Sequence, residues 1–190
     1  MAIISTYPKV AATDNDLVLG TQVGTSGNQI NPTKNFTMDS IRDLVGRYIV
    51  NGLVNNLASA GSGGYDYMEW VSNVTSATQI PLMKIPTNLQ LVAVSYVWLG
   101  DTALSIGPGE EVAFSIGTIP NGANPIIANY NNVLDLFSLT NANDGTYAND
   151  VVNVNQTFSA GDQLGVVGLE TGTVTPNSGE LAITFLFKSL

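Results

Sequence analysis

The side chains able to do acid–base chemistry in this chain are its 15 Asp and Glu residues, because the sequence has no His and no Cys. Thiolate nucleophiles, disulfides, Cys/His zinc sites and a Ser-His-Asp triad are thereby excluded. Paired carboxylates can still hydrolyse glycosidic bonds without help from His. The candidates are Asp66 with Glu69, Asp101, and Glu110 with Glu111. None lies in a recognisable motif, and neighbouring carboxylates on a strand point to opposite faces. The expectation is therefore no catalytic residue and no enzyme.

Two other patterns carry weaker chemistry. Asn141-Ala142-Asn143-Asp144-Gly145 superficially resembles a calcium loop. Its Gly falls one place early and no bidentate Glu follows at the twelfth position, so no metal site is expected. Gly107-Pro108-Gly109 is read as a turn and not a phosphate cradle, since neither a helix nor a Lys follows it. No cofactor is implied. Among the aromatics, Tyr65, Tyr67, Tyr130 and Tyr147 stand near turn residues and are candidate ligand contacts, as platforms for a sugar or a neighbouring subunit. Trp70 belongs to the same aromatic set. Tyr96 and Trp98 sit in an apolar run and are read as core.

The elements that must position these residues follow from composition. The 190-residue chain carries a net charge of −9, unevenly distributed. Asp14, Asp16, Asp39 and Asp43 balance Lys9, Lys34, Arg42 and Arg47 before residue 60, whereas the later acids face only Lys84 and Lys188. An acidic body with no basic stripe does not neutralise phosphates, so nucleic acid is not an expected partner. The longest apolar run, Leu89 to Leu99, is shorter than the roughly 20 residues of a bilayer-spanning helix, and no membrane partner is expected. MAIISTYPKV lacks the basic start and apolar stretch of a secretion signal, so synthesis in the cytoplasm without secretion is the expectation.

Residues 1–36 hold Pro8, Pro32 and few apolar side chains beyond Leu17-Val18-Leu19, so they are expected to be an extended arm that orders against a partner. A helix is predicted over 37–57, with Thr37 as N-cap and Asp39 and Asp43 in its first turn. Ile41, Val45, Tyr48 and Ile49 fall on its apolar face, which would pack either on the protein's own body or in a short three-helix bundle. The Gly/Ser stretch 58–64 is read as a flexible joint. From Tyr65 to the end, β-branched and aromatic runs broken by Gly, Pro and Asn give about eight strands, the number a jelly-roll sandwich uses. The fold class is thus mainly β: an arm, one short helix and an antiparallel β-sandwich over 65–190.

Three segments carry a family resemblance. Ile4-Ser5-Thr6-Tyr7-Pro8, then Asp14-Asn15-Asp16-Leu17-Val18-Leu19-Gly20-Thr21, then Pro32-Thr33-Lys34-Asn35-Phe36-Thr37 leading into Ile41-Arg42-Asp43-Leu44, resemble the N-terminal region shared by many tailed-phage structural proteins. The likeness covers residues 3–50 or so and implies a virion-docking segment of a head fibre, capsid decoration protein or tail appendage. On it, Pro8, Leu17, Leu19 and Phe36 would be docking anchors and Lys34 and Arg42 charge partners. Thr157-Phe158-Ser159-Ala160-Gly161-Asp162-Gln163-Leu164-Gly165-Val166 looks like the turn and strand of trimeric jelly rolls of the tumour-necrosis-factor and C1q type. The implied partners are further copies of the chain as a homotrimer, other capsid or tail proteins, and a host surface glycan, with the assembled virion as location. A carbohydrate-binding, host-adhesion module is the alternative function.

Overall fold

The computed structural model describes residues 13, 15–21, 33–38, 41, 46–55, 57, 60–70, 79–172, 174 and 179–190. Its contacts divide the chain into two units, Met1–Arg47 and Tyr48–Leu190. Within the first, β1 (Leu17–Thr21) and β2 (Thr33–Thr37) form an antiparallel pair, with Leu17 opposite Thr37, Val18 opposite Phe36 and Leu19 opposite Asn35. The segment expected to be extended thus contains a two-stranded hairpin. Met38 and Ile41 are helical.

The second unit is a sandwich of two sheets. One is ordered β3-β11-β6-β9, from β3 (Arg47–Asn55), β6 (Leu89–Trp98), β9 (Asn149–Phe158) and β11 (Glu180–Ser189). The other is ordered β4-β10-β7-β8, from β4 (Tyr65–Tyr67), β7 (Glu111–Ile119), β8 (Asn131–Thr140) and β10 (Gln163–Thr171), and the two-residue β5 (Met83–Lys84) pairs with the start of β10. With the short β5 set aside, the body's strands run first-eighth-third-sixth in one sheet and second-seventh-fourth-fifth in the other. That is the doubled Greek key of a jelly roll, as the strand count predicts.

Alternation places the core. Leu181, Ile183, Phe185 and Phe187 of β11 and Leu91, Val94, Tyr96 and Trp98 of β6 are buried, facing Val112, Phe114 and Ile116 of β7 and Leu164 and Val166 of β10. Each such side chain contributes roughly 1.5–3 kcal/mol by leaving water. Tyr96 stacks on Phe137 of the opposite sheet at 4.0 Å between ring centroids, and Phe137 meets Phe114 at 5.0 Å, so aromatic rings tie the two layers together. Gly168 makes room for this contact, because a Cβ there would stand 2.7 Å from the Phe114 ring. Tyr96 and Trp98 are core, as expected. The apolar run Leu89 to Leu99 reads as a strand covered on both faces, but Val97 is exposed and Ala93 and Ser95 are half-buried on its outer face.

Two expectations are corrected. The helix predicted over 37–57 does not extend through 47–55, which is the edge strand β3. Tyr48 and Ile49, placed together on one helical stripe, are adjacent on a strand and so point to opposite faces. Val54 and Gly52 are buried and Val50 half-buried, a period of two, and pairing with β11 outweighs a helix propensity already lowered by Gly46, Gly52 and the β-branched residues. Val45 lies outside the described residues.

The second correction concerns the Gly/Ser stretch. The described part of 58–64 is a turn fastened to the sandwich, and the two units divide at Arg47 and Tyr48 instead. Gly63 N–H donates to the Glu170 carbonyl at 2.8 Å, Glu170 N–H to the Gly64 carbonyl at 3.1 Å, and Ala60 N–H to Glu170 Oε1 at 3.0 Å. Gly61 and Gly63 take positive φ values of 75° and 78°, which suits Gly in such a turn. Glu170 is almost wholly buried at 1% exposure, so it is the side chain that converts a flexible composition into a fixed corner. Replacing Glu170 by Ala is expected to lower unfolding free energy by about 1–3 kcal/mol, because it removes the charged acceptor of the Ala60 N–H. Glu170→Gln, which keeps an acceptor oxygen, should lose less, and equal losses in denaturant titrations would contradict this account.

Candidate functional site

Concave surface forms where the chain leaves β4 and crosses to the edge of the other sheet. Leu53 and Glu69 make an antiparallel bridge, Leu53 N–H donating to the Glu69 carbonyl at 3.0 Å and Glu69 N–H to the Leu53 carbonyl at 2.7 Å. Gly52 permits this close approach, since a Cβ there would fall 2.7 Å from Met68 Sδ and 2.8 Å from the Glu69 carbonyl oxygen. The crossing brings Trp70 and Glu69 beside the alternate β3 residues Asn51, Leu53 and Asn55 and beside Glu180, Ala182 and Thr184 of β11, around a hollow of about 730 Å³. That volume lies within the roughly 300–1,000 Å³ usual for small-molecule sites.

The lining combines an aromatic ring, two amides and two carboxylates over an aliphatic floor. Trp70 rests on Phe185, with 5.2 Å between centroids and 44° between planes, so the core fixes one side of the indole. Its Nε1–H is buried with no acceptor among the described residues. Leaving such a donor unpaired costs about 1–3 kcal/mol. Asn55 Nδ2 donates to Glu69 Oε2 at 3.0 Å, holding the amide and carboxylate in a fixed relation. Among the described residues, no Lys or Arg lines the hollow.

The acids considered for catalysis are distributed elsewhere with one exception. Asp66 is buried on β4, and Glu110 Oε2 accepts from Gly107 N–H at 2.5 Å, closing the Gly107-Pro108-Gly109 turn. Glu69 alone enters the hollow, where Glu180 joins it. The Asn-rich loop uses its oxygens internally: Asp144 Oδ1 accepts from Ile106 N–H at 2.9 Å and Asn143 Oδ1 from Thr140 N–H at 2.9 Å. These bonds make the loop a structural corner. Among the described residues no cluster of three or more acidic side chains is placed to hold a metal ion.

The four tyrosines are not brought together, and none lines the hollow. Tyr65 and Tyr147 are exposed, whereas Tyr67 and Tyr130 pack on a second apolar cluster of Ile80, Ile119 and Val167. Tyr130 also shares a 3.0 Å hydrogen bond with Ser115 Oγ, and Gly117 leaves space for its ring, 2.6 Å from where a Cβ would stand. These contacts make Tyr130 structural. Of the docking residues, Leu17 and Leu19 are exposed and Phe36 is half-buried. Pro8, Arg42 and the side chain of Lys34 lie outside the described residues. Asn51, Asn55 and Glu180 were missed by sequence reasoning; the spacing of Asn51 and Asn55, with Leu53 between, would have marked one strand face had β3 been recognised.

No protein-family model and no curated protein sequence matches the chain. The similar solved structures include the following two. An isomalto-dextranase from Arthrobacter globiformis T6, complexed with panose, shares 13% identity at a TM-score of 0.32, covering 92% of this chain but only 33% of that one, so the chain spans about a third of its length. A family 35 carbohydrate-binding module from Clostridium thermocellum shares 9% identity at a TM-score of 0.26, covering 76% of this chain and 92% of the module. At these scores neither bears on what this chain does.

Burial pushes the Tyr130 phenol up to about 12 from 10.0, opposed by the Ser115 hydrogen bond and reinforced by Asp135. The folded chain therefore holds a proton that the unfolded chain releases between about pH 10 and 12, so stability must fall as pH rises through that window. Tyr130→Phe is expected to flatten the fall by up to about 2 kcal/mol in denaturation measured across pH 9–12. Identical slopes in both chains would show that another group sets it.

Proposed function

We propose that this chain is a non-enzymatic structural appendage of a bacteriophage particle, docked by its N-terminal unit and displaying the jelly roll as a head fibre, decoration or tail component. One observation carries the reading. In the β1–β2 hairpin of the first unit, Leu17, Val18 and Leu19 are 60%, 41% and 72% exposed, three consecutive uncovered apolar residues. An isolated two-stranded hairpin is marginal in water, and covering that surface with a partner would stabilise it. The resemblance of residues 3–50 to phage docking segments supplies the partner class, and assembly as a homotrimer accords with the trimeric jelly rolls that the 157–166 turn resembles.

The hollow favours a second reading, in which the displayed body also acts as a host-adhesion module for surface carbohydrate. Its setting suits binding better than hydrolysis. Glu180 stands in solvent and Glu69 is tied to Asn55, whereas carboxylate catalysis draws on an acid set against apolar surroundings that exclude water.

Leu17→Asp combined with Leu19→Asp is expected to leave the sandwich folded, with unchanged circular dichroism and thermal transition, while reducing incorporation into particles by roughly tenfold or more, the effect of losing buried apolar contacts at a docking site. Undiminished incorporation of the double variant would refute docking through this hairpin.

A further inference from the structure

We infer that the hollow beside Trp70 is a binding site for a non-acidic saccharide, with Trp70 as platform and Asn51, Asn55, Glu69 and Glu180 as the polar rim. This rests on the adhesion reading above and gives it a location that the exposed tyrosines do not supply.

The chemistry of a pyranose sets the requirements. One face of the ring presents aliphatic C–H groups, and its rim presents hydroxyls that both donate and accept. A site for it needs an aromatic surface, an apolar floor, and planar groups that take hydroxyls in pairs. Trp70 supplies the ring, and Leu53 and Ala182 line the same hollow as aliphatic surface. A carboxylate accepts from two neighbouring hydroxyls and an amide donates and accepts at once, so Asn51, Asn55, Glu69 and Glu180 match the rim.

Three further features point the same way. The hydrogen bond from Asn55 to Glu69 sets both groups before a ligand arrives, which lowers the ordering cost that limits weak binders. The Trp70 ring packs on Phe185 and also lines the hollow, so the core holds the platform in place. Charge then selects among saccharides. Two carboxylates and, among the described residues, no cation in the lining disfavour sialylated, sulfated and uronic-acid sugars and leave neutral or amino sugars.

Trp98 provides an internal control, because it is buried and its Nε1–H donates to the Thr102 carbonyl at 2.8 Å, away from this lining. The test applies the full chain, Trp70→Ala, Asn55→Ala and Asn51→Ala to an array of neutral, amino, sialylated and sulfated glycans, with tryptophan fluorescence titrations of any binder. The unmodified chain is expected to bind neutral or amino glycans, with affinity falling about tenfold in each variant, the loss of one good contact. The binding-induced fluorescence change should vanish in Trp70→Ala. Asn51 and Asn55 are exposed, so their variants decide the matter even if Trp70→Ala folds poorly. Glycan binding unaltered by the Asn variants overturns this site and leaves adhesion standing elsewhere on the body. Binding to no glycan overturns both, and selectivity for acidic glycans or release of shortened products overturns the assignment of a non-acidic, non-catalytic site.

Discussion

Pairing of the edge strand β3 with β11 is the interaction on which the rest of this structure depends. It completes the four-stranded sheet, turns Val50, Gly52 and Val54 inward over the core, and sends Asn51, Leu53 and Asn55 to the other face. The bridge from Leu53 to Glu69 then carries the chain from one sheet to the other and sets Trp70 against Phe185. Core closure and the hollow are consequences of the same backbone hydrogen bonds. A change that releases β3 would expose inner-face apolar surface and remove one wall of the hollow together.

A second constraint acts at the opposite end of the crossing. Glu170 occupies the inward row of β10, a position that alternation reserves for apolar side chains such as Leu164 and Val166. The Ala60 N–H meets the carboxylate at Oε1, the Glu170 backbone pairs with Gly63 and Gly64, and Oε2 is buried with no partner among the described residues. The Gly-rich corner and the buried acid explain one another: without the glycines the turn would be strained, and without the acid it would be loose.

β9 and β11 were legible because each carries its own period of two: Val152, Val154, Gln156 and Phe158 of β9 alternate with exposed neighbours, and Leu181, Ile183, Phe185 and Phe187 of β11 are buried between half-buried ones. Turns were legible for an equally local reason, as in the positive φ of 94° at Gly161 and the Ser159 N–H bond to Asp162 Oδ2 at 2.8 Å. What escaped was decided at long range. Val45, Ile49, Leu53 and Leu57 also satisfy a four-residue helical spacing, and only β11, far along the chain, selects the strand. Glu170 lies 110 residues from the Ala60 it holds, so composition alone reads the joint as flexible. Trp70 and Glu69 were recognisable as an aromatic and an acid, but their company in the hollow depends on the jelly-roll strand order, which no local pattern encodes.

The most direct test of this architecture is nuclear magnetic resonance of the full chain at the Leu53–Glu69 bridge. The account requires strand-type carbon shifts across 47–55, an amide-to-amide Overhauser effect between Leu53 and Glu69, and slow exchange of both amides. Helical shifts through 47–55, or fast exchange with no cross-strand effect, would show that β3 does not build the sheet edge and that the hollow lacks its wall.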